Sequence, residues 1–494
     1  MMKNAFTGAQ PLETNLNSCI AGCYDMLLKN ITYTFFGQAF AVTVNLIAIP
    51  LYLSQLDLSN YAIVGLIFSF FSLFHAFDIP TYLTLVKTLH DRKLKKKHGQ
   101  LASALFSLVV ITNVILLVPL ILIALFMSRW VYHDQNLVPF FLIAFFIFAL
   151  ARANFFLIDV LRSGKQEDLV QKIAVPCTAL EFVVSMGLLF GFGFGVWSIF
   201  IGILAKSAVQ YFSLMFAVRK RLNITQGFSC VLVKSALKKY TFDDYKLNIA
   251  NNMVFSAGLF LSTFFLSREL IGILAVFFKF VENLWGFTAA IFFLHLQPVL
   301  AKLAAANRFL AVKQTLKGAS QALILFSLAA MAFLLAIGKH AYYLYLGPSF
   351  NGTFLLFLLI TSAVLMRICV TPLSTFLYIS NTGFFKKLNL LLLLSFLPTL
   401  LIGLSRNMLD GVIIAYALYF YLFSMMIIYF ALRSLGPYFP EISMQLRLLI
   451  MLQIVDLLLF GPNVVLPILI SVSLVFIMIM PMLFHKNTIS PSES

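Results

Sequence analysis

The stretch 101-LASALFSLVVITNVILLVPLILIALFM-127 holds 27 residues and no charge. At about 1.5 Å per residue, a helix of that length reaches about 40 Å and outspans a hydrocarbon core of about 30 Å. Such a run has no place in a soluble core and reads as a transmembrane helix. The same pattern recurs along the chain. Apolar stretches bounded by polar breaks fall at 31–53, 59–86, 101–127, 138–161, 173–192, 196–218, 248–267, 270–296, 318–338, 354–380, 388–404, 411–432, 447–461 and 464–484. The stretch 388–404 and the Asp456-bearing stretch 447–461 are short for a span. These long continuous runs are unlike the alternating segments of about ten residues that build a β-barrel.

Composition agrees with that reading. Of 494 residues, 61% are hydrophobic and only 11% charged, with a mean hydropathy of +0.97. Soluble domains carry about 25% charged residues. The fold class read from the sequence is therefore an all-α polytopic membrane protein of about fourteen helices. The five cysteines are scattered and show no metal spacing, which excludes a disulfide-stapled module. Residues 1–30 contain no apolar core and read as a cytoplasmic or interfacial segment rather than a cleaved signal peptide.

The net charge of +17 is a matter of placement. With a cytoplasmic N-terminus, 27 of the 35 lysines and arginines fall in inner segments, four in outer segments and four inside spans. That asymmetry is the positive-inside bias, and it puts both termini in the cytoplasm. The basic run 92-RKLKKKHG-99 then faces anionic headgroups, and nucleic acid is not an expected partner.

The basic inner segment 219–247 divides spans 1–6 (31–218) from spans 7–12 (248–432). Two six-helix lobes around a central cavity follow, related by an axis along the membrane normal. A faint echo joins 53-LSQL-56 to 266-LSREL-270 at corresponding hairpin turns. Residues 433–484 add a helix pair, and 485–494 form a cytoplasmic tail. No segment outside the spans is long enough for an independent domain. No GxxxxGK[ST], HExxH, GxSxG or CxxC motif occurs, so the reading is of a transporter rather than an enzyme or an ATP-driven pump.

A charge at mid-membrane costs about 2.5–3.5 kcal/mol, so each one needs a reason. Arg152, Lys206, Lys279 and Arg367 all fall near mid-depth, on spans 4, 6, 8 and 10. Four cations at one depth point to a wet cavity for an anionic group, with arginine as a bidentate fork and lysine as a point charge. Structural pairing is the competing reading. Lys279 and Glu282 stand at i, i+3, and Lys206 and Glu181 lie on adjacent hairpin helices. Asp78, in 75-HAFDIP-80, sits beside the helix-breaking Pro80 and is either an ion or proton site or part of a kink. His75 and His295 read as interfacial or packing residues. Asn45, Asn251 and Asn252 either line the cavity or join helices.

The stretch 45-NLIAIPLYLSQLDLSNYAIVGLIFSFFSLFHAFDIPTYLTLVKTL-89 resembles the opening of Wzx-type polysaccharide flippases, in the multidrug/oligosaccharidyl-lipid/polysaccharide exporter superfamily. The resemblance lies in a turn from Leu56 to Tyr61 and an acidic element, 78-DIP-80, where Pro80 stands in place of the family's glycine. The outer stretch 343-YLYLGPSFN-351 is also similar to that family. The resemblance implies a transporter that flips a polyprenyl-diphosphate-linked oligosaccharide across the bacterial inner membrane by alternating access. It implies membrane lipids and polysaccharide assembly proteins such as a polymerase as partners. Substrate would be held by Arg152, Arg367, Lys206 and Lys279. Asp78, Glu181 or Glu282 would couple to Na⁺ or H⁺, with no other cofactor. The alternatives are an ion-coupled drug or metabolite antiporter on the same architecture, and a membrane-embedded glycosyltransferase or polymerase.

Overall fold

The computed structural model describes residues 12–75, 98–131, 135–164, 166–221, 254, 258–288, 296–297, 299–300, 303, 309–380, 382–405 and 409–435. Helices account for nearly all of these residues, and no strand occurs among them. Nine helices among the described residues are long and apolar enough to span a bilayer, or ten when one bent pair counts as a span. Helices α1 (Leu12–Gln55), α2 (Leu58–His75), α3 (His98–Phe126), α4 (Val138–Ser163), α5 (Glu167–Met186) and α6 (Val196–Arg221) correspond to spans 1–6. Helix α7 (Arg268–Thr288) is span 8 and α8 (Phe309–Ala336) is span 9. A short helix, α9 (Gly338–Leu346), follows, and α10 (Phe354–Cys369) and α11 (Thr371–Ser380) share span 10. Helices α12 (Thr382–Ser405) and α13 (Leu409–Leu435) are spans 11 and 12. Spans 13 and 14, most of span 7, Asp78, and residues 222–247 of the linker lie outside the described residues.

Several expectations are corrected in detail. Residues 12–30 are helical and run without a break into the first span, whose apolar part begins at Thr32. The Leu-rich run 388–404 is short only because Lys386 and Lys387 interrupt its hydropathy; the helix itself runs through them. The stretch 339–353, expected as an outer loop, is largely helical, made of α9 and a 3-10 turn at Pro348–Phe350. Gly347, at φ 83°, makes the reversal between them in a region that side chains disfavour.

Span 10 is broken, with α10 and α11 bent by 46°. Pro372 is the cause: it has no N–H for the Ile368 carbonyl, and its ring crowds the preceding turn. Hydroxyls bond two carbonyls beside the joint. Thr371 Oγ1 donates to the Arg367 carbonyl at 3.2 Å, and Ser374 Oγ to the Thr371 carbonyl at 2.8 Å.

The helices fall into two lobes. In the first, α1 packs on α5, α5 on α6, α6 on α4 and α4 on α3. In the second, α13 packs on α10 and α12, and α8 packs on α10. The outer faces are apolar: Val114 and Ile115 on α3 are 65% and 64% exposed. Lipid, not water, satisfies such a surface.

The lobes meet along α2 and α7, with α1 against α7 beside them. In lipid, close packing and not hydrophobic exclusion holds helices together, so small residues mark the contact. Gly65 lies against the Ala275 methyl, and Gly272 lies against the Leu58 carbonyl; a Cβ at either glycine would collide. Both helices start alike. Asp57 Oδ1 accepts the Asn60 N–H at 2.6 Å ahead of α2, and Ser267 Oγ accepts the Leu270 N–H at 3.5 Å ahead of α7. The two turns that echo each other in sequence therefore occupy matching places in the two lobes.

Candidate functional site

A chamber of about 360 Å³ lies between the lobes. Its walls come from α1, α2, α5 and α6 of the first lobe and from α7 of the second, with Leu259 beside them. On the side of the α1–α2 turn the lobes touch at Leu58 and Gly272. Tyr345 on α9 adds a second contact, its hydroxyl donating to the Leu46 carbonyl on α1. Asn45 Nδ2 donates to Asn283 Oδ1 at 3.1 Å, so a polar bond links α1 to α7 across the lobes at the chamber edge.

Four ionisable side chains line the chamber: Glu181, Lys206, Lys279 and Glu282. Lys206 Nζ and Glu181 Oε2 are 2.6 Å apart, a direct ion pair between hairpin neighbours α6 and α5. Lys279 and Glu282, one helical turn apart on α7, are both exposed to the chamber, although protein surrounds it. No ion pair within 4.0 Å joins these two among the described residues. The chamber thus holds one closed pair and one open pair, with two positive and two negative groups in all.

The structure brings together only two of the four expected cations. Arg152 is 7% exposed and turns away from the chamber toward α3, where its Nη1 donates to Asn113 Oδ1 at 2.6 Å. Its guanidinium also lies 5.5 Å from the Phe148 ring centroid. Arg367 is 4% exposed inside the second lobe. Its guanidinium carbon lies 4.8 Å from the Trp285 ring centroid, 5.7 Å from Tyr419, 5.3 Å from Phe420 and 4.4 Å from Phe423. The aromatic faces offer it cation–π attraction. Neither arginine lines the chamber. Sequence position fixes the depth of a helical residue but not the direction it faces, and these two face into their own lobes.

Sequence reasoning did not single out Asn283 or Tyr345, which join the lobes here. Asn283 follows Glu282 directly, and a polar pair inside a span is a usable signal. Tyr345 carried none, because the loop that holds it is aromatic throughout.

No protein-family model matches the chain, and no curated protein matches it in sequence. Solved structures do match in fold. The lipid II flippase MurJ, in an inward closed conformation, superposes with a TM-score of 0.64 at 12% identity, covering 92% of this chain and 99% of its own. The Vibrio cholerae MATE transporter VcmN in its bent form gives 0.58 at 14% identity, covering 85% and 99%. An inward-facing multidrug resistance MATE family transporter of the MOP superfamily gives 0.61 at 15% identity, covering 80% and 94%. These likenesses establish a shared two-lobed fold.

Proposed function

We propose that the chain is a transporter that flips a polyprenyl-diphosphate-linked oligosaccharide across the bacterial inner membrane by alternating access. The carrying observation is the chamber between the lobes, where Lys279 faces the cavity without a direct ion-pair partner among the described residues. Moving a diphosphate and its sugars through hydrocarbon removes their water, and a polar chamber replaces that solvation. Lys279 offers the diphosphate a point charge, and Lys206 supports it once its bond to Glu181 loosens. Arg152 and Arg367 contribute from outside the chamber by holding their lobes in shape. Glu282 and Glu181 are the candidates for Na⁺ or H⁺ coupling. The fold match to a lipid II flippase, which reaches over 92% of the chain, supports this choice.

The reading places both termini in the cytoplasm, by the lysine and arginine bias. The α1–α2 turn side then faces outward. The test is Lys279→Gln with surface polysaccharide as the readout. Export is expected to fall by about tenfold or more, the worth of about 1.4 kcal/mol. Wild-type export at normal expression would reject the assignment. The balanced charge of the chamber favours a second reading, an ion-coupled antiporter of small molecules. Drug resistance that depends on Glu282, with unchanged polysaccharide, would select it.

A further inference from the structure

Helix α1 runs unbroken through Pro50, although a proline inside a helix offers no N–H to the carbonyl four residues earlier. Here that carbonyl belongs to Leu46, well inside the first span. An unserved carbonyl at membrane depth is unfavourable, and neighbouring side chains are the usual remedy. The remedy comes from the opposite lobe, where the Tyr345 hydroxyl on α9 donates to the Leu46 carbonyl. Tyr342, one turn earlier on α9, roots that short helix in the second lobe. Its ring centroid lies 5.0 Å from that of Phe357 and 5.4 Å from that of Phe354, and its hydroxyl is 2.6 Å from Thr353 Oγ1. Asn45, the residue before Leu46, bonds Asn283 of α7 as well. Two consecutive residues of α1 are therefore tied to the second lobe, one through its side chain and one through its main chain.

The main-chain tie differs in kind from the other. A side-chain amide that loses its partner can rotate toward a new one, whereas the Leu46 carbonyl is fixed by its helix and Pro50 offers it no donor there. We propose that Tyr345 and the Leu46 carbonyl form a latch that holds the lobes together on the α1–α2 turn side and lets go when they part there. Parting admits water at that level, and water takes the place of the hydroxyl on the carbonyl. The acceptor is thus served in both states, and Pro50 is what keeps it available to the second lobe. The inference rests on the alternating access of the transporter reading and not on what is carried.

The test uses the full chain in lipid nanodiscs, with its native cysteines replaced by serine. Spin labels on Asn136→Cys in the first lobe and Asp410→Cys in the second, both exposed positions on the turn side, report how far the lobes part. Tyr345→Phe keeps the ring and removes only the hydroxyl. It is expected to raise the ratio of parted to closed molecules by about tenfold. Pro50→Ala returns an N–H to position 50, which serves the Leu46 carbonyl from within the helix. In that background Tyr345→Phe is expected to change the ratio by less than about twofold. Pro50→Gly restores the same N–H and is expected to repeat the result, which covers a Pro50→Ala chain that folds poorly. An unchanged ratio in Tyr345→Phe alone would overturn the latch. So would an equal shift with and without Pro50, since the tyrosine would then act through packing and not through the carbonyl. No substrate is present, so either failure leaves the flippase reading to its own test, export by Lys279→Gln.

Discussion

Lys206 Nζ stands 2.6 Å from Glu181 Oε2, and this pair joins adjacent helices at the chamber wall. The pair is neither dry nor fully wet, since the two side chains are 29% and 18% exposed. Partial hydration lowers both the desolvation cost and the attraction. Removing one partner strands the other: Glu181→Gln or Lys206→Met alone is expected to cost about 1–2 kcal/mol, below the roughly 3–5 kcal/mol of a fully buried pair. The double variant is expected to recover most of that loss. A thermal double-mutant cycle in detergent checks this, and additive costs would mean the pair contributes no coupling.

At the α2–α7 contact, Gly272→Val drives a branched side chain into the Leu58 carbonyl. Overpacking of this kind costs about 1–3 kcal/mol. Gly286, on the same helix, has open space where a Cβ would go. Gly286→Ala is therefore expected to be neutral or stabilising through helix propensity alone. Comparing the two unfolding midpoints separates lobe contact from helix chemistry; equal shifts would refute the contact argument.

Asn45 and Asn283 hold the lobes together by one hydrogen bond. Asn45→Leu is expected to remove about 0.5–1.5 kcal/mol from this arrangement only. That moves the balance between alternating states by up to about tenfold. Distances between spin labels on α2 and α7 report the change directly. An unaltered distance distribution would show that the bond does not select a state.

Arg367 sits among Trp285, Tyr419, Phe420 and Phe423 as a flat cation among rings. Lysine keeps the charge but loses the planar face. Arg367→Lys is expected to lower stability by about 1–2 kcal/mol, from weakened cation–π contact. Export per folded molecule is expected to stay near wild type, because Arg367 does not line the chamber. The readout is polysaccharide normalised to folded protein; a specific transport loss would return this residue to the binding site.

The sequence made some of this legible and hid the rest for a physical reason. Long uncharged runs such as 101–127 announce helices in lipid, since hydropathy measures the one property a bilayer demands. Hairpin adjacency made the Glu181–Lys206 pair visible, because neighbours at one depth have few other partners. The directions of Arg152 and Arg367 were not visible. Their helices are apolar nearly all round, so no periodicity marks the face that turns inward. The break at Cys369–Thr371 was masked in the same way, since hydropathy runs smoothly through Pro372.

The bent span 10 has a mechanical consequence. Hydroxyls of Thr371 and Ser374 bond carbonyls of the same segment on either side of the joint, those of Arg367 and Thr371. The aromatic cage clamps Phe354–Cys369 through Arg367, and Thr371–Ser380 is itself held, with Pro372, Leu373 and Leu377 buried and α8 and α13 packed against it. With both halves anchored, the elbow sets the curvature of the second lobe in place of acting as a hinge.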